Sequence, residues 1–187
     1  MKTLAALKHK NFISVDGAYG FDQNALRGLW SKYLVDRSCG LAALANLVTY
    51  AEGRRSLERK EALQVMDALI RLAPPRPWGI AAGRILARAV KRMNLPYRVE
   101  FLKPRATKEE IYDFVLCALA ADRPVALLNT NHPHKAFRYH WVTLTEMVED
   151  EGEIYVRFSS WGRRYKMGFR ELFPAGMMYR SMFYLME

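Results

Sequence analysis

The stretch Ser38-Cys39-Gly40-Leu41-Ala42-Ala43-Leu44-Ala45-Asn46 determines how this sequence is interpreted. Apolar residues recur from it at helical spacing as far as Tyr50, a pattern typical of a helix that buries one face. Cys39 is therefore predicted to begin a helix. The unpaired amides and partial positive charge at a helix start stabilise a thiolate relative to a thiol. The alternative is a small buried cysteine that packs in the core and has no chemical role.

Two later segments provide what such a thiol needs for chemistry. His140 begins a predicted strand, and the next predicted strand leads into Ser159-Ser160-Trp161-Gly162. A cysteine at a helix start, a histidine on a strand and a polar residue on the next strand are the parts of a thiol nucleophile, its base and the group that orients the base. Trp161 is predicted to form a wall of the cleft that shields the histidine's hydrogen bond from water.

Together these motifs resemble the papain-like cysteine peptidases. Ser38-Cys39-Gly40 is similar to their nucleophile helix, His140-Trp141-Val142 to their base strand, and Ser159-Ser160-Trp161-Gly162 to their Asn-Ser-Trp-Gly run. The pattern Cys-Gly-x-Ala-Ala-Leu-Ala from Cys39 resembles most the bacterial branch of bacteriocin-leader (double-glycine) peptidases. The resemblance implies that Cys39 is the nucleophile, His140 the general base and Ser159 the residue that orients His140.

The resemblance also implies a glutamine shortly before the cysteine, whose amide holds the oxyanion. This chain has Tyr33 near that position and Gln23 and Asn24 farther upstream, so all three are candidate oxyanion donors. Ser159 replaces an asparagine or aspartate, and a hydroxyl is a weaker partner for an imidazole. These departures leave open a second interpretation, a catalytically inactive papain-like module that binds peptides.

The order of predicted elements indicates an α+β fold with a papain-like arrangement, in which a helical N-terminal half carries the nucleophile and an antiparallel sheet carries the base. The length of 187 residues suits a single domain over 1–187. Helices are predicted from Cys39, over 57–72, from Ala82 to Met93, after a capping box at Thr107 and Glu110, and over Phe169–Leu172. Strands are predicted over Tyr97–Leu102, Pro124–Leu128, His140–Met147, Glu153–Phe158, Arg164–Met167 and Met177–Leu185.

The net charge of +10 introduces a third interpretation. A basic face with interleaved aromatic residues is a feature of nucleic-acid-binding proteins. The sequence carries no helix-turn-helix, RNA-recognition or zinc-finger signature, so nucleic acid is kept as the alternative partner and a peptide or protein, including an acidic peptide, as the expected one. The residues concerned are Arg54, Arg55, Arg71, Arg76, Arg84, Arg88, Lys91, Arg92, Arg163, Arg164 and Lys166, with Trp78, Tyr97 and Tyr165.

Further features bear on cofactors and location. The loop at His132-Pro133-His134 is interpreted as a solvated loop, with a metal site or a substrate-contacting lid as alternatives. It lacks the ligand spacing of zinc sites, so no metal and no cofactor are expected.

Cys39 and Cys117 are expected as reduced thiols. No segment has the apolar length of a membrane span or the pattern of a cleaved leader, which predicts a soluble cytoplasmic protein without membrane insertion.

Overall fold

The structure, a computed structural model, describes residues 1–130, 132–174 and 180–187. It is an α+β fold whose helices pack against an antiparallel sheet. The helices are α1 (Lys32–Val35), α2 (Cys39–Ala51), α3 (Arg59–Leu72), α4 (Gly83–Arg92), α5 (Lys108–Ala120) and α6 (Phe169–Leu172), with 3-10 turns at Gln23–Leu26 and Lys135–Phe137. The strands are β1 (Lys2–Ala6), β2 (Ser14–Val15), β3 (Ala18–Tyr19), β4 (Ser56–Leu57), β5 (Arg98–Phe101), β6 (Val125–Asn129), β7 (His140–Asp150), β8 (Glu153–Ser160), β9 (Arg163–Gly168) and β10 (Arg180–Met186).

The main sheet has seven strands. Six follow the order β5-β10-β6-β7-β8-β9, and β1 pairs with the far half of β7, where Lys2 lies opposite Glu149. Each described pair in this sheet is antiparallel. β2, β3 and β4 form a separate small sheet. The long strand β7 is therefore central, and its first residue, His140, lies at one end of the sheet.

Helix α2 lies directly on this sheet. All of its residues from Cys39 to Tyr50 are buried, and it contacts β6, β7 and β10. Its first turns carry alanine and glycine, which allow a close approach: a Cβ on Gly40 would lie 3.1 Å from the Trp141 ring. This packing brings the N-terminus of α2 against the start of β7.

Local sequence signals explain several helix boundaries. Thr107 and Glu110 form the predicted capping box at the start of α5, with each side chain accepting a hydrogen bond from the other's backbone amide, at 3.2 and 2.8 Å. Glu58 and Glu61 form a second capping box at the start of α3. The prolines after α3 end it, because proline cannot donate a helical hydrogen bond.

The predicted helices and the later strands are confirmed within one to three residues at most boundaries. The N-terminal strand β1 was not predicted, because its apolar run is short and its outer residues are exposed. The predicted strand from Met177 to Leu185 is observed as β10, from Arg180 onward, and residues 177–179 lie outside the described residues. In the part of the chain that is described, no helix has the length and apolar character needed to cross a membrane.

Candidate active site

The thiol of Cys39 lies at the N-terminus of α2. Ser38 occupies the capping position, but its hydroxyl donates a hydrogen bond to the Leu34 carbonyl and leaves the first amides of α2 uncapped. The backbone amides of Trp141, Gly40 and Cys39 itself act on the sulfur and favour its thiolate form. The amide of Trp141 belongs to β7, so this contact joins the start of α2 to the start of β7.

The imidazole of His140 is held from two sides. Its Nε2 shares a hydrogen bond of 2.8 Å with the Ser160 hydroxyl at the end of β8. The Trp161 ring stacks on it, with ring centroids 4.1 Å apart and planes inclined by 17°. Trp161 itself has a positive φ of 47°, and Gly162 follows at 66°, so a left-handed two-residue turn between β8 and β9 presents the indole to the histidine. These contacts restrict both the plane and the position of the imidazole.

Cys39 and His140 line the same cavity, which we call the cysteine cavity. Its other lining residues are Phe21, Gln23, Ala42, Ala43, Asn46, Trp141, Thr143, Ser159, Ser160 and Trp161. The volume is about 10 Å³, which is about the space that one water molecule requires. The structure therefore brings Cys39 and His140, the predicted nucleophile and base, to one closed site.

Burial decides the protonation state of both groups. It raises the pKa of the Cys39 thiol, against the opposing effect of the backbone amides of Trp141, Gly40 and Cys39. It lowers the pKa of His140 to about 4. The closed site therefore favours a neutral thiol beside a neutral imidazole. This corrects the expectation of a stabilised thiolate, because desolvation outweighs the helix-start amides here.

The hydrogen bond to His140 comes from Ser160, and the expectation that Ser159 orients the imidazole is corrected accordingly. Neighbouring residues of a strand point to opposite faces of the sheet, so only one of the two serines faces the ring. The Ser159 hydroxyl instead donates to the Tyr19 carbonyl at 2.7 Å. Ser159 lines the cysteine cavity and joins β8 to the segment before the first 3-10 turn.

Among the three candidate oxyanion donors, the structure places one at the site. Gln23 lines the cysteine cavity and is buried, and its Nε2 donates to the Val35 carbonyl at 3.0 Å. Asn24 is outside the lining and donates to Asp22. Tyr33 is 43% exposed and lies beneath the Arg37 guanidinium. A carboxamide nitrogen carries two N–H groups, so Gln23 keeps one for an oxyanion.

Asn46 has a structural role that was not predicted from the sequence. Its Oδ1 accepts from the Phe21 amide at 2.9 Å, and its Nδ2 donates to Thr143 Oγ1 at 3.0 Å. This buried carboxamide thus connects α2 both to β7 and to the segment that carries Gln23. Its position one helical turn further than Ala42 and Ala43 on the same stripe was the available signal.

The histidine loop is exposed at residues 133–136, as expected of a solvated loop, but His132 departs from this expectation. His132 is fully buried, its Nδ1 accepts from the His134 amide at 3.1 Å, and its ring contacts the edge of Phe137. Within the described ranges, no group of three or more His, Cys, Asp or Glu side chains could hold a metal ion. The two cysteines are free thiols, Cys39 buried and Cys117 exposed.

Most cations of the predicted basic face fall into two groups, those with a carboxylate or aromatic partner and those of α4 and the loop before it. Arg54 pairs with Glu61, Arg164 with Glu146 and Lys166 with Asp150. Arg55 lies over the Tyr50 ring, 3.7 Å from its centroid. Arg84, Arg88, Lys91 and Arg92 of α4 and Arg76 of the loop before it form a separate group of cations.

No protein-family model matches the chain, and neither a curated protein sequence nor a solved structure shows significant similarity to it.

Proposed function

We propose that this protein is a papain-like thiol hydrolase that cleaves an amide bond, most simply a peptide bond, with Cys39 as nucleophile and His140 as general base and acid. The observation that carries the proposal is the shared cysteine cavity, where the start of α2 meets the start of β7. The α+β arrangement, with a buried helix lying on an antiparallel sheet, is compatible with a papain-like fold.

The reaction follows from the roles of these groups. His140 takes the proton of the Cys39 thiol, and the sulfur attacks the substrate carbonyl. The Cys39 backbone amide and Gln23 stabilise the oxyanion that forms. The tetrahedral intermediate then collapses to a thioester on Cys39: the C–N bond breaks, and the histidinium protonates the leaving amine. Water, deprotonated by His140, attacks the thioester; the C–S bond breaks, a carboxylate is released, and the Cys39 sulfur regains its proton from the histidinium. An amine in place of water gives acyl transfer.

The neutral resting pair sets the order of the proton transfer. The buried thiol and the largely buried imidazole do not separate charge while the site is closed, because the protein desolvates both charged forms. When a substrate is bound, the attack on its carbonyl forms an oxyanion, and the negative charge of the oxyanion stabilises the histidinium. We therefore place proton transfer together with nucleophilic attack, after the cavity has opened.

The test measures cleavage of a mixed peptide library by mass spectrometry with the wild type, Cys39→Ala and Cys117→Ala. Cys117 is the matched control because it is an exposed cysteine on α5. The proposal expects new peptide termini with the wild type and with Cys117→Ala, and none with Cys39→Ala. Cleavage that survives in Cys39→Ala contradicts it.

A second candidate is a papain-like module that binds peptides without cutting them. Two observations favour it: the cysteine cavity holds about one water, and the third partner is a serine hydroxyl. Identical peptide binding by the wild type and Cys39→Ala, with no cleavage by either, selects this candidate. The nucleic-acid alternative is weakened because Arg54, Arg164 and Lys166 are paired with carboxylates.

A further inference from the structure

A cavity lined by arginines lies between the end of α3 and α4. Its volume is about 360 Å³, and Arg76, Arg88 and Arg92 line it; we call it the arginine pocket. The same cavity has apolar walls, formed by Leu72, Ala73, Pro74, Ile80 and Ile85. Such a combination of cations and apolar surface fits a ligand group that has both an anionic end and a hydrocarbon stem.

These arginines lack carboxylate partners. Arg76, Arg88 and Arg92 are exposed, and none of them forms an ion pair with another described residue. Arg92 donates from Nη1 to the Leu72 carbonyl at 3.0 Å. Like charges held together without a counter-charge create a positive potential that attracts anions. The arginine pocket is therefore complementary to an oxyanion.

The arginine pocket and the cysteine cavity share a wall. Ile80 lines the pocket, and its carbonyl accepts a hydrogen bond of 2.7 Å from Nε1 of Trp141, which lines the cavity. A Cβ on Gly40 would lie 3.2 Å from the Ile80 Cβ. Arg37, two residues before Cys39, donates from Nε to the Pro77 carbonyl at 2.6 Å. The arginine pocket therefore lies beside the start of α2, and Ile80 and Trp141 separate it from the cysteine cavity.

We propose that the arginine pocket binds the carboxylate of a Glu or Asp side chain in the peptide on which Cys39 acts. This inference rests on the proposed function and names its substrate class. Guanidinium groups hold carboxylates with paired, charge-assisted hydrogen bonds, and the apolar walls accept the side-chain methylenes. A nucleic-acid backbone would instead require a continuous basic track, whereas two of the three cations of strand β9, Arg164 and Lys166, are paired with carboxylates.

The test measures peptide binding in the Cys39→Ala background, where cleavage does not interfere. The probes are a fluorescein-labelled glycine-alanine peptide with two glutamates, the same peptide with glutamines, and a single-stranded oligonucleotide, compared by fluorescence anisotropy. Arg76→Gln/Arg88→Gln removes two pocket cations. Arg98→Gln/Arg105→Gln removes the same charge from exposed positions elsewhere and is the matched control.

The proposal expects the glutamate peptide to bind more tightly than the glutamine peptide, with a loss of about tenfold or more in the pocket variant and less than about twofold in the control. Equal binding of the two peptides, or equal losses in both double variants, overturns it. Tighter binding of the oligonucleotide, lost only in the pocket variant, also overturns it and assigns the pocket to nucleic acid.

Binding and cleavage separate this inference from the proposed function. If the pocket binds glutamate as expected but the wild type cleaves no peptide, the hydrolase fails and the binding site is retained. If Cys39-dependent cleavage is found and the pocket variant cleaves acidic and neutral peptides like the wild type, the pocket proposal fails and the hydrolase is retained.

Discussion

The cysteine cavity and the arginine pocket lie on two sides of one wall, formed by Ile80 and Trp141, and differ in almost every physical respect. The cysteine cavity is closed, aromatic and about 10 Å³ in volume, and burial favours the neutral forms of Cys39 and His140. The arginine pocket is larger, about 360 Å³, and its three arginine side chains are exposed to water. The neutral Cys39 and His140 side chains thus lie on one side of the wall, and the charged arginines lie on the other, where a ligand can reach them.

Under the two proposals above, recognition and chemistry are separated within one small fold. Charges at the surface act on an approaching ligand at a distance and cost little desolvation. Groups in a small desolvated cavity reach a substrate only after the cavity opens, and their electrostatic effect is stronger than that of groups in water. Four predictions test the contrast, beginning with the largest expected effect.

Replacing His140 with alanine should remove activity from the closed side of the wall. A general base contributes about 10²–10⁴-fold to rate, so we expect turnover of an accepted peptide to fall by about 10³-fold. Turnover is measured with His9→Ala as the control, since His9 is an exposed histidine outside the site. Activity within about tenfold of the wild type in His140→Ala would remove His140 from the mechanism.

Acid should destabilise the folded protein through His140, which lines the cysteine cavity. The pKa of His140 is about 4 in the folded protein and near 6.5 in the unfolded chain, so below pH 6.5 the unfolded chain takes up a proton that the folded protein excludes. Stability should fall as pH decreases from about 6.5 to 4, by on the order of 2 kcal/mol after allowance for partial exposure.

Urea unfolding at pH 7 and pH 4.5 measures this loss, because the slope and midpoint give the free energy of unfolding. His140→Gln should lose less stability between the two pH values than the wild type, whereas His9→Gln should lose the same amount. An identical pH dependence for all three proteins shows that His140 takes up its proton normally in the folded state.

The two cysteines should react unequally. Burial raises the pKa of Cys39, whereas Cys117 is exposed on α5. Iodoacetamide at pH 7.5 should therefore alkylate Cys117 at least about tenfold faster, because only the thiolate reacts. Peptide mapping gives the two rates. Faster labelling of Cys39 would indicate a paired thiolate in a cavity that opens often.

The two adjacent serines should separate catalysis from folding. Ser160→Ala removes the hydroxyl that holds His140, and should lower turnover by up to about tenfold with little change in stability. Ser159→Ala removes the bond to the Tyr19 carbonyl and should cost about 1 kcal/mol of stability. Turnover and urea midpoints are measured for both. A reversed pattern, with Ser159→Ala the less active, restores the prediction made from the sequence.

The sequence predicted the parts of the fold whose signals are local. The helix from Cys39, the capping box at Thr107 and the strand from His140 depend on spacing and on neighbouring residues, and all three are confirmed. Strand β1 depends on pairing with β7, a partner far away in sequence, so its short apolar run carried too little information.

The candidate site was predicted by residue type but not in its contacts. Whether Ser159 or Ser160 faces His140 depends on the pleat of β8, which a motif of four residues does not specify. The position of Gln23 depends on a bond to the Val35 carbonyl across a turn. The neutral state of the Cys39 and His140 pair depends on desolvation by the whole core, which a helix-start argument leaves out.

The turn at Trp161 and Gly162 sets the stability of the backbone against the positioning of the His140 ring. A bulky aromatic residue at a φ of 47° is strained, and asparagine followed by glycine is the preferred pair for such a turn. Selection for stability alone would favour asparagine here and would remove the indole that covers His140. The strained tryptophan is therefore the position at which an engineered gain in heat resistance would be expected to lower the proposed activity.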